Sequence, residues 1–217
     1  MYRRREFLGL AALPFAAPVM GAAQGASLAA PLDRRLFWTC IPTDGCERAE
    51  VQSDPTGIVL RGTILRASGR GPAEAHYEIL CGPDWNTLAA TVSCEDEAGK
   101  RSLTMRRNGR AWVIGGQVNP RLDDASDVDL GWSPITNTLP IRRLRLPTGA
   151  RSDVLTMAWI RFPELTVQPL TQVYERLSDS SYRYSSAGGN FTAIITVDEQ
   201  GFVVEYEKQW RRSERAG

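Results

Sequence analysis

The sequence predicts a mainly β protein with a single folded domain. Three observations predict it: short segments alternate apolar and polar residues, turn-forming residues separate them, and only two short stretches carry a helical pattern. Such a series of short strands suits a barrel, a roll or a sandwich. The elements are taken in chain order.

The first segment is a targeting signal rather than part of the fold. Arg3, Arg4 and Arg5 precede Phe7 and Leu8, an apolar stretch of about 12 residues follows, and small residues close it at Gly21, Ala22 and Ala23. The Arg4-Arg5-x-Phe7-Leu8 order is that of a twin-arginine export signal. The apolar part is shorter than the roughly 20 residues that a bilayer-spanning helix needs, and Pro14 and Pro18 interrupt it. Residues 1–23 are therefore expected to be removed, with cleavage as late as residue 26, so that the mature protein works in the periplasm or otherwise outside the cytoplasm. As a precursor it would engage the twin-arginine translocase. Residues 24–33 read as a flexible mature N-terminus, 34–212 as the domain, and 213–217 as a tail.

Removal of the signal changes the charge balance. The full chain has 26 Lys+Arg and 25 Asp+Glu; residues 1–23 hold three arginines and one glutamate, which leaves 23 basic and 24 acidic residues. A near-neutral chain lacks the electrostatic footprint of a nucleic-acid binder, and that class is excluded.

Cys40 and Cys46 flank the turn-like Ile41-Pro42-Thr43-Asp44-Gly45 and form the candidate disulfide. Cys81 and Cys94 are a poorer pair. With a hairpin at Gly82–Trp85, Cys94 lies roughly eight residues from the turn, beyond bridging distance at about 3.3 Å per residue. They read as buried thiols. The cysteine spacings match no zinc site, and His76 is the only histidine.

Strands are predicted at 58–65, 77–81, 88–94, 154–162 and 181–185. Two hairpins have a testable register. Asn108-Gly109 as a two-residue turn sets Met105 opposite Trp112 and Leu103 opposite Ile114, all on one face. Asp198–Gly201 as a loop pairs Val197 with Phe202, Ile195 with Val204 and Ala193 with Tyr206. Two stretches read as helical. Leu170, Val173, Tyr174 and Leu177 fit the i, i+3, i+4, i+7 template, and Asn137 could cap a helix with Pro140 in its first turn. Leu144-Arg145-Leu146 also reads as strand.

Catalytic motifs are scarce. The chain has no Gly-x-Ser-x-Gly elbow, Walker loop, Gly-x-Gly-x-x-Gly or His-Glu-x-x-His, so no cofactor and no metal are expected. Alternation puts His76 on the solvent side of its strand. Asp123, Asp124, Asp127 and Asp129 form an acidic cluster. Asp127 and Asp129 could serve as a glycosidase-like acid/base pair or could bond backbone N–H groups in a polar turn. Arg142, Arg143 and Arg145 could grip phosphate or sulfate or be ordinary solvated charges. Trp112, Trp132, Trp159 and Phe162 could line an apolar cavity or fill the core.

Two strings are more distinctive: Asp127-Val128-Asp129-Leu130 and Ser133-Pro134-Ile135-Thr136-Asn137-Thr138-Leu139-Pro140-Ile141-Arg142-Arg143-Leu144. With Phe162-Pro163-Glu164-Leu165-Thr166-Val167, Gln172-x-Tyr174, Tyr182-x-Tyr184 and Val197-Asp198-Glu199-x-Gly201-x-Val203, they resemble the signature of the glycolipid-binding family. The resemblance covers roughly residues 34–212. It departs at Asp124-Ala125, where the family often has Gly-Cys. It implies an antiparallel spiral β-roll, a half-barrel-like sheet wrapped around one α-helix, which the 137–145 stretch would supply. It also implies a likeness to lipoprotein carriers, a homodimer, and a lipid or glycolipid ligand. On this reading the protein is a non-catalytic carrier or sensor in the cell envelope. An acyl chain would lie on inner apolar residues, and Asp127, Asp129, Asn137, Arg142 and Arg143, with Gln172 and Tyr174, would meet a polar head group. The alternatives are an acid/base enzyme using Asp127 and Asp129 and a structural partner-binding module.

Overall fold

A computed structural model describes residues 31–213. The predicted signal, with Arg4, Arg5, Phe7 and Leu8, lies outside the described residues, as do the last four residues of the chain.

The first half of the domain is an antiparallel meander: β1 (Asp33–Cys40), β2 (Gly45–Asp54), β3 (Gly57–Ser68), β4 (Gly71–Cys81), β5 (Thr87–Asp96), β6 (Gly99–Asn108), β7 (Ala111–Ile114) and β8 (Gln117–Val118). After β9 (Ala125–Leu130), a 3-10 turn (Ile135–Asn137) leads into helix α1 (Thr138–Leu144). A second meander follows: β10 (Leu155–Arg161), β11 (Thr166–Arg176), β12 (Ser181–Ser186), β13 (Phe191–Val197), β14 (Val203–Tyr206) and β15 (Trp210–Arg212). These strands form a single 15-stranded sheet, ordered β8-β7-β6-β5-β4-β3-β2-β1-β15-β14-β13-β12-β11-β10-β9. The pairing of β1 with β15 joins the two meanders, and the sheet does not close into a barrel.

Every ladder is antiparallel except β9 with β10. A parallel pair cannot be joined by a tight hairpin and needs a long crossover. The segment from Leu130 to Leu155 supplies it, which is why the single α-helix among the described residues stands there. Asn137 is the N-cap residue of α1, but its side chain makes no cap bond and is used elsewhere. Arg145 ends the helix in the left-handed region, at φ 45°.

The register defines one continuous inner face, because residues opposite each other in a ladder share a side. It runs from Ile79, Tyr77 and Ala75 through Leu60 and Ile64, Glu47 and Ala49, and Trp38 to Trp210, Tyr206, Ile195, Tyr184, Tyr174 and Gln172. It ends at Asp127 and Asp129, beside Met157 and Trp159. In β9 and β10 the opposite side is buried as well. Val128, Leu130, Ala158 and Ile160 are at most 1% exposed and belong to the same apolar core as Val92, Met105 and Trp112. The Trp112 indole N–H donates to the Ala125 carbonyl at 3.0 Å. The last strands therefore roll under the first meander, so that one end of the sheet lies inside the other.

Several sequence expectations need correction. The first hairpin turns at Gly109-Arg110, with Asn108 opposite Ala111 and Met105 opposite Ile114. Gly109 has φ 61° and Arg110 is not left-handed, which suits a turn with glycine at its first central position. The shift leaves Leu103, Met105, Trp112 and Ile114 on one face. In the second hairpin Ile195 faces Tyr206, and a bulge sets Val197 opposite Val203. Leu170, Val173 and Tyr174 lie in strand β11, not a helix, and Leu177 follows it. Leu144–Leu146 is the helix end rather than a strand.

The Cys40–Cys46 disulfide is not formed: all four cysteines are free thiols. Thr39, not Cys40, faces Cys46 across the ladder, so the two thiols project from opposite sides of the sheet. Cys81 and Cys94 are buried thiols, and burial pushes the Cys81 thiol up to about 12.

Candidate functional site

The aspartates of β9 share a face but enter different environments. Asp127 is fully buried and ion-paired with Arg143 of α1, whose side chain is 16% exposed. It also accepts from the Thr87 backbone N–H at 3.3 Å, the Thr87 hydroxyl at 3.2 Å and the Ser126 hydroxyl at 3.3 Å. Arg143 adds a bond to Ser126 Oγ at 3.3 Å. This cluster ties α1 to the edge strand, and it occupies both oxygens that an acid/base role would need free.

Asp129 faces a pocket. Its Oδ1 accepts from the Thr136 hydroxyl at 3.0 Å and its Oδ2 from the Gln172 amide at 2.8 Å. Burial pushes its carboxyl up to about 6, and those two hydrogen bonds oppose the rise. Behind it, the Tyr174 hydroxyl lies 2.9 Å from Asn137 Oδ1 and 3.1 Å from Gln172 Oε1. The Asn137 amide donates to the Pro134 carbonyl at 3.2 Å. Thr136, Asn137, Gln172 and Tyr174 thus form one network that holds the crossover turn against β9 and β11.

The pocket has a volume of about 220 Å³ and is bordered by Asp129, Ser133, Asn137, Trp159, Tyr184 and Tyr206, with Leu130, Gly131, Leu170, Ser186, Phe191, Gln209 and Trp210 completing the wall. Its aromatic side is a cluster: Tyr184 meets Tyr174, Tyr206 and Phe191 edge-on, with ring centroids 5.2, 5.8 and 6.0 Å apart. Burial raises the Tyr184 and Tyr206 hydroxyls well above the ordinary tyrosine range, so both remain neutral. Gly131 lets Trp159 lie close. A Cβ there would stand 2.9 Å from the indole nitrogen.

Behind Ser133 lies Glu47, a fully buried carboxyl. Tyr77 donates to its Oε1 at 2.5 Å and Ser133 at 2.8 Å, while Oε2 has no partner. Burial pushes this carboxyl from 4.5 to about 8. Sequence reasoning missed Glu47. The signal for it was an acidic residue in phase with the apolar Ala49 and Val51.

Of the residues singled out from sequence, Asp129, Asn137 and Trp159 border the pocket, and Gln172 and Tyr174 support it. Asp127 and Arg143 form their own pair. The Arg142 guanidinium lies over Trp85, 4.4 Å from the ring centroid, and donates to the Gln200 carbonyl. Trp112 is a core residue. Trp132 and Phe162 stack on each other at 5.1 Å, with Arg66 over Trp132. Tyr184, Ser186, Phe191, Tyr206, Gln209 and Trp210 were not picked out as lining residues. Their inner-face phase becomes visible only once the register is known. Among the described residues no group of three or more His, Cys, Asp or Glu could hold a metal ion.

The family model described as "Putative glycolipid-binding" matches residues 35–212. The chain belongs to this family. A solved structure of a DUF1089 family protein from Pseudomonas aeruginosa is similar to it, with 32% identity and a TM-score of 0.71, over 79% of this chain and 94% of that one. No curated protein matches the sequence. Within the glycolipid-binding family, the distinctive strings of this chain are the ones that build β9, the crossover and the wall of the pocket.

Proposed function

We propose that this protein binds the sugar head of a glycolipid in the pocket bordered by Asp129, Asn137 and Tyr184. The observation that carries this reading is the convergence, in about 220 Å³, of one carboxylate, side-chain amides, tyrosine hydroxyls and aromatic faces. Sugar hydroxyls both donate and accept, and these groups offer both functions beside apolar walls. Membership of the glycolipid-binding family supports the same ligand class.

Apart from this pocket, the inner face of the roll is covered by α1 and the packed core, so the acyl chain stays outside it. The protein acts as a carrier or sensor in the cell envelope, after export by the twin-arginine route and removal of residues 1–23, and it works as a homodimer.

Native mass spectrometry of the mature protein, purified from the periplasm of its own host, tests the reading. The expected result is a co-purified glycolipid, carried by a chain that begins near residue 24. A ligand-free mass that persists after incubation with glycolipid refutes the binding. Arg4→Lys with Arg5→Lys should leave the full-length precursor in the cytoplasm; normal export of that variant refutes the route.

A further inference from the structure

We infer that the pocket selects an uncharged single-sugar head group and rejects one that carries a phosphate, sulfate or sulfonate. This inference rests on the glycolipid reading and sharpens its ligand class. Among the described residues, Asp129 is the only charged side chain that borders the pocket. The two arginines of α1 that could have received an anion are both engaged elsewhere: Arg143 with buried Asp127, and Arg142 over Trp85 and against the Gln200 carbonyl. An anionic group would therefore meet a carboxylate in a poorly solvated site with no compensating cation.

The remaining capacity of Asp129 suits hydroxyls. Each of its oxygens already accepts one protein hydrogen bond, from Thr136 and from Gln172. A carboxylate has about four acceptor sites, so one on each oxygen stays open to a neighbouring pair of sugar hydroxyls. The neutral hydroxyls of Tyr184 and Tyr206 and the amides of Asn137 and Gln209 add no charge. A volume of about 220 Å³ lies below the roughly 300–1,000 Å³ of sites for drug-sized ligands, which suits one sugar ring rather than a chain of them.

The test is flotation of the mature protein with phosphatidylcholine vesicles at high salt, which screens general surface charge. One set carries monogalactosyldiacylglycerol, a second carries sulfoquinovosyldiacylglycerol, and a third carries neither. The expected result is at least tenfold tighter binding to the galactolipid than to the sulfonated lipid. Equal or tighter binding to the sulfonated lipid overturns the inference and leaves glycolipid binding standing. Binding to neither above phosphatidylcholine alone overturns the glycolipid reading, and the inference with it. Asp129→Asn keeps the shape of the side chain and should lower the discrimination below about threefold. Unchanged discrimination in that variant, folded by circular dichroism, shows that Asp129 is not the selecting group and overturns the inference.

Discussion

Glu47→Gln will make the protein less sensitive to alkali. The Glu47 carboxyl is wholly buried, accepts from Tyr77 and Ser133 on Oε1, and leaves Oε2 without a partner. Burial raises its pKa from 4.5 to about 8. In the unfolded chain the group ionises near its ordinary value, so through this window the folded state holds a proton that the unfolded state has released. The unfolded state then binds fewer protons, and stability falls as pH rises, levelling off above the folded value. At about 1.4 kcal/mol per pH unit the window is worth about 5 kcal/mol, a large share of the roughly 5–15 kcal/mol that holds a domain together. Glutamine keeps the shape and the Oε1 acceptor but does not titrate. Neither amide proton has an acceptor at the Oε2 position, one more unpaired proton than the protonated acid leaves there, which costs about 1–3 kcal/mol at every pH. The readout is therefore the slope rather than the offset. Urea unfolding between pH 5 and 9 should show the wild type losing several kcal/mol relative to the variant as pH rises. Two parallel curves would refute the buried, protonated assignment.

Three further outcomes test the remaining structure. Arg143→Met strands the fully buried Asp127 charge; broken pairs of this kind cost about 3–5 kcal/mol, and the Thr87 and Ser126 bonds keep the loss near the lower end. Urea unfolding measures it, and adding Asp127→Asn should recover most of the loss; no recovery means that the pair is not the cause. Gly62→Val places a Cβ 2.3 Å from the Tyr77 hydroxyl, which pins the buried ring against the backbone, and should cost about 1–3 kcal/mol in the same assay. Cys46→Ser should change stability by less than about 0.5 kcal/mol, as substitutions away from key features do. Thiol titration of the denatured, unreduced protein should find four thiols, and finding two would restore the disulfide.

Strand positions and the helix were legible in the sequence because their causes are local. Alternation in Tyr77-x-Ile79-x-Cys81 and in Leu88–Cys94 marks half-buried strands whatever their partners. Pro140 and the Asn137 cap position mark a helix start without any tertiary information. The failures came where tertiary pairing outweighed local pattern. Leu170, Val173 and Tyr174 satisfy a helical template, yet β11 is fixed by ladders on both sides, to β10 and β12. The first hairpin register moved by two residues, which preserves the side each residue faces, so the apolar pattern could not distinguish it; in the second, a bulge that no alternation records set Val203 rather than Phe202 opposite Val197. The disulfide failed for the opposite reason. A shift of one residue between Cys40 and Cys46 reverses a side chain's direction, and sequence proximity carries no record of it. The site was legible in Asp129 and Asn137, whose motif is distinctive. Tyr184 and Tyr206 reach the pocket from β12 and β14, strands brought together only by the order of the sheet.

The parallel β9–β10 pair explains why the most distinctive residues are mainly architectural. A parallel edge strand must be reached by a crossover, and that crossover has to be fastened to the sheet. Asp127 holds Arg143, Asp129 holds Thr136, and Asn137 meets Tyr174, so each residue of β9 or the turn fastens one part of the connection. Asp129 and Asn137 differ from the others because they also border the pocket. Their exposed side is left over once the crossover has been tied down. Any change at either residue therefore acts on the fold and on the pocket together, whereas Tyr206 borders the pocket from β14 without a hydrogen bond to the crossover network. Tyr206→Phe removes only a hydroxyl from the wall, and it separates the proposed recognition from architecture more cleanly than any substitution within the motif.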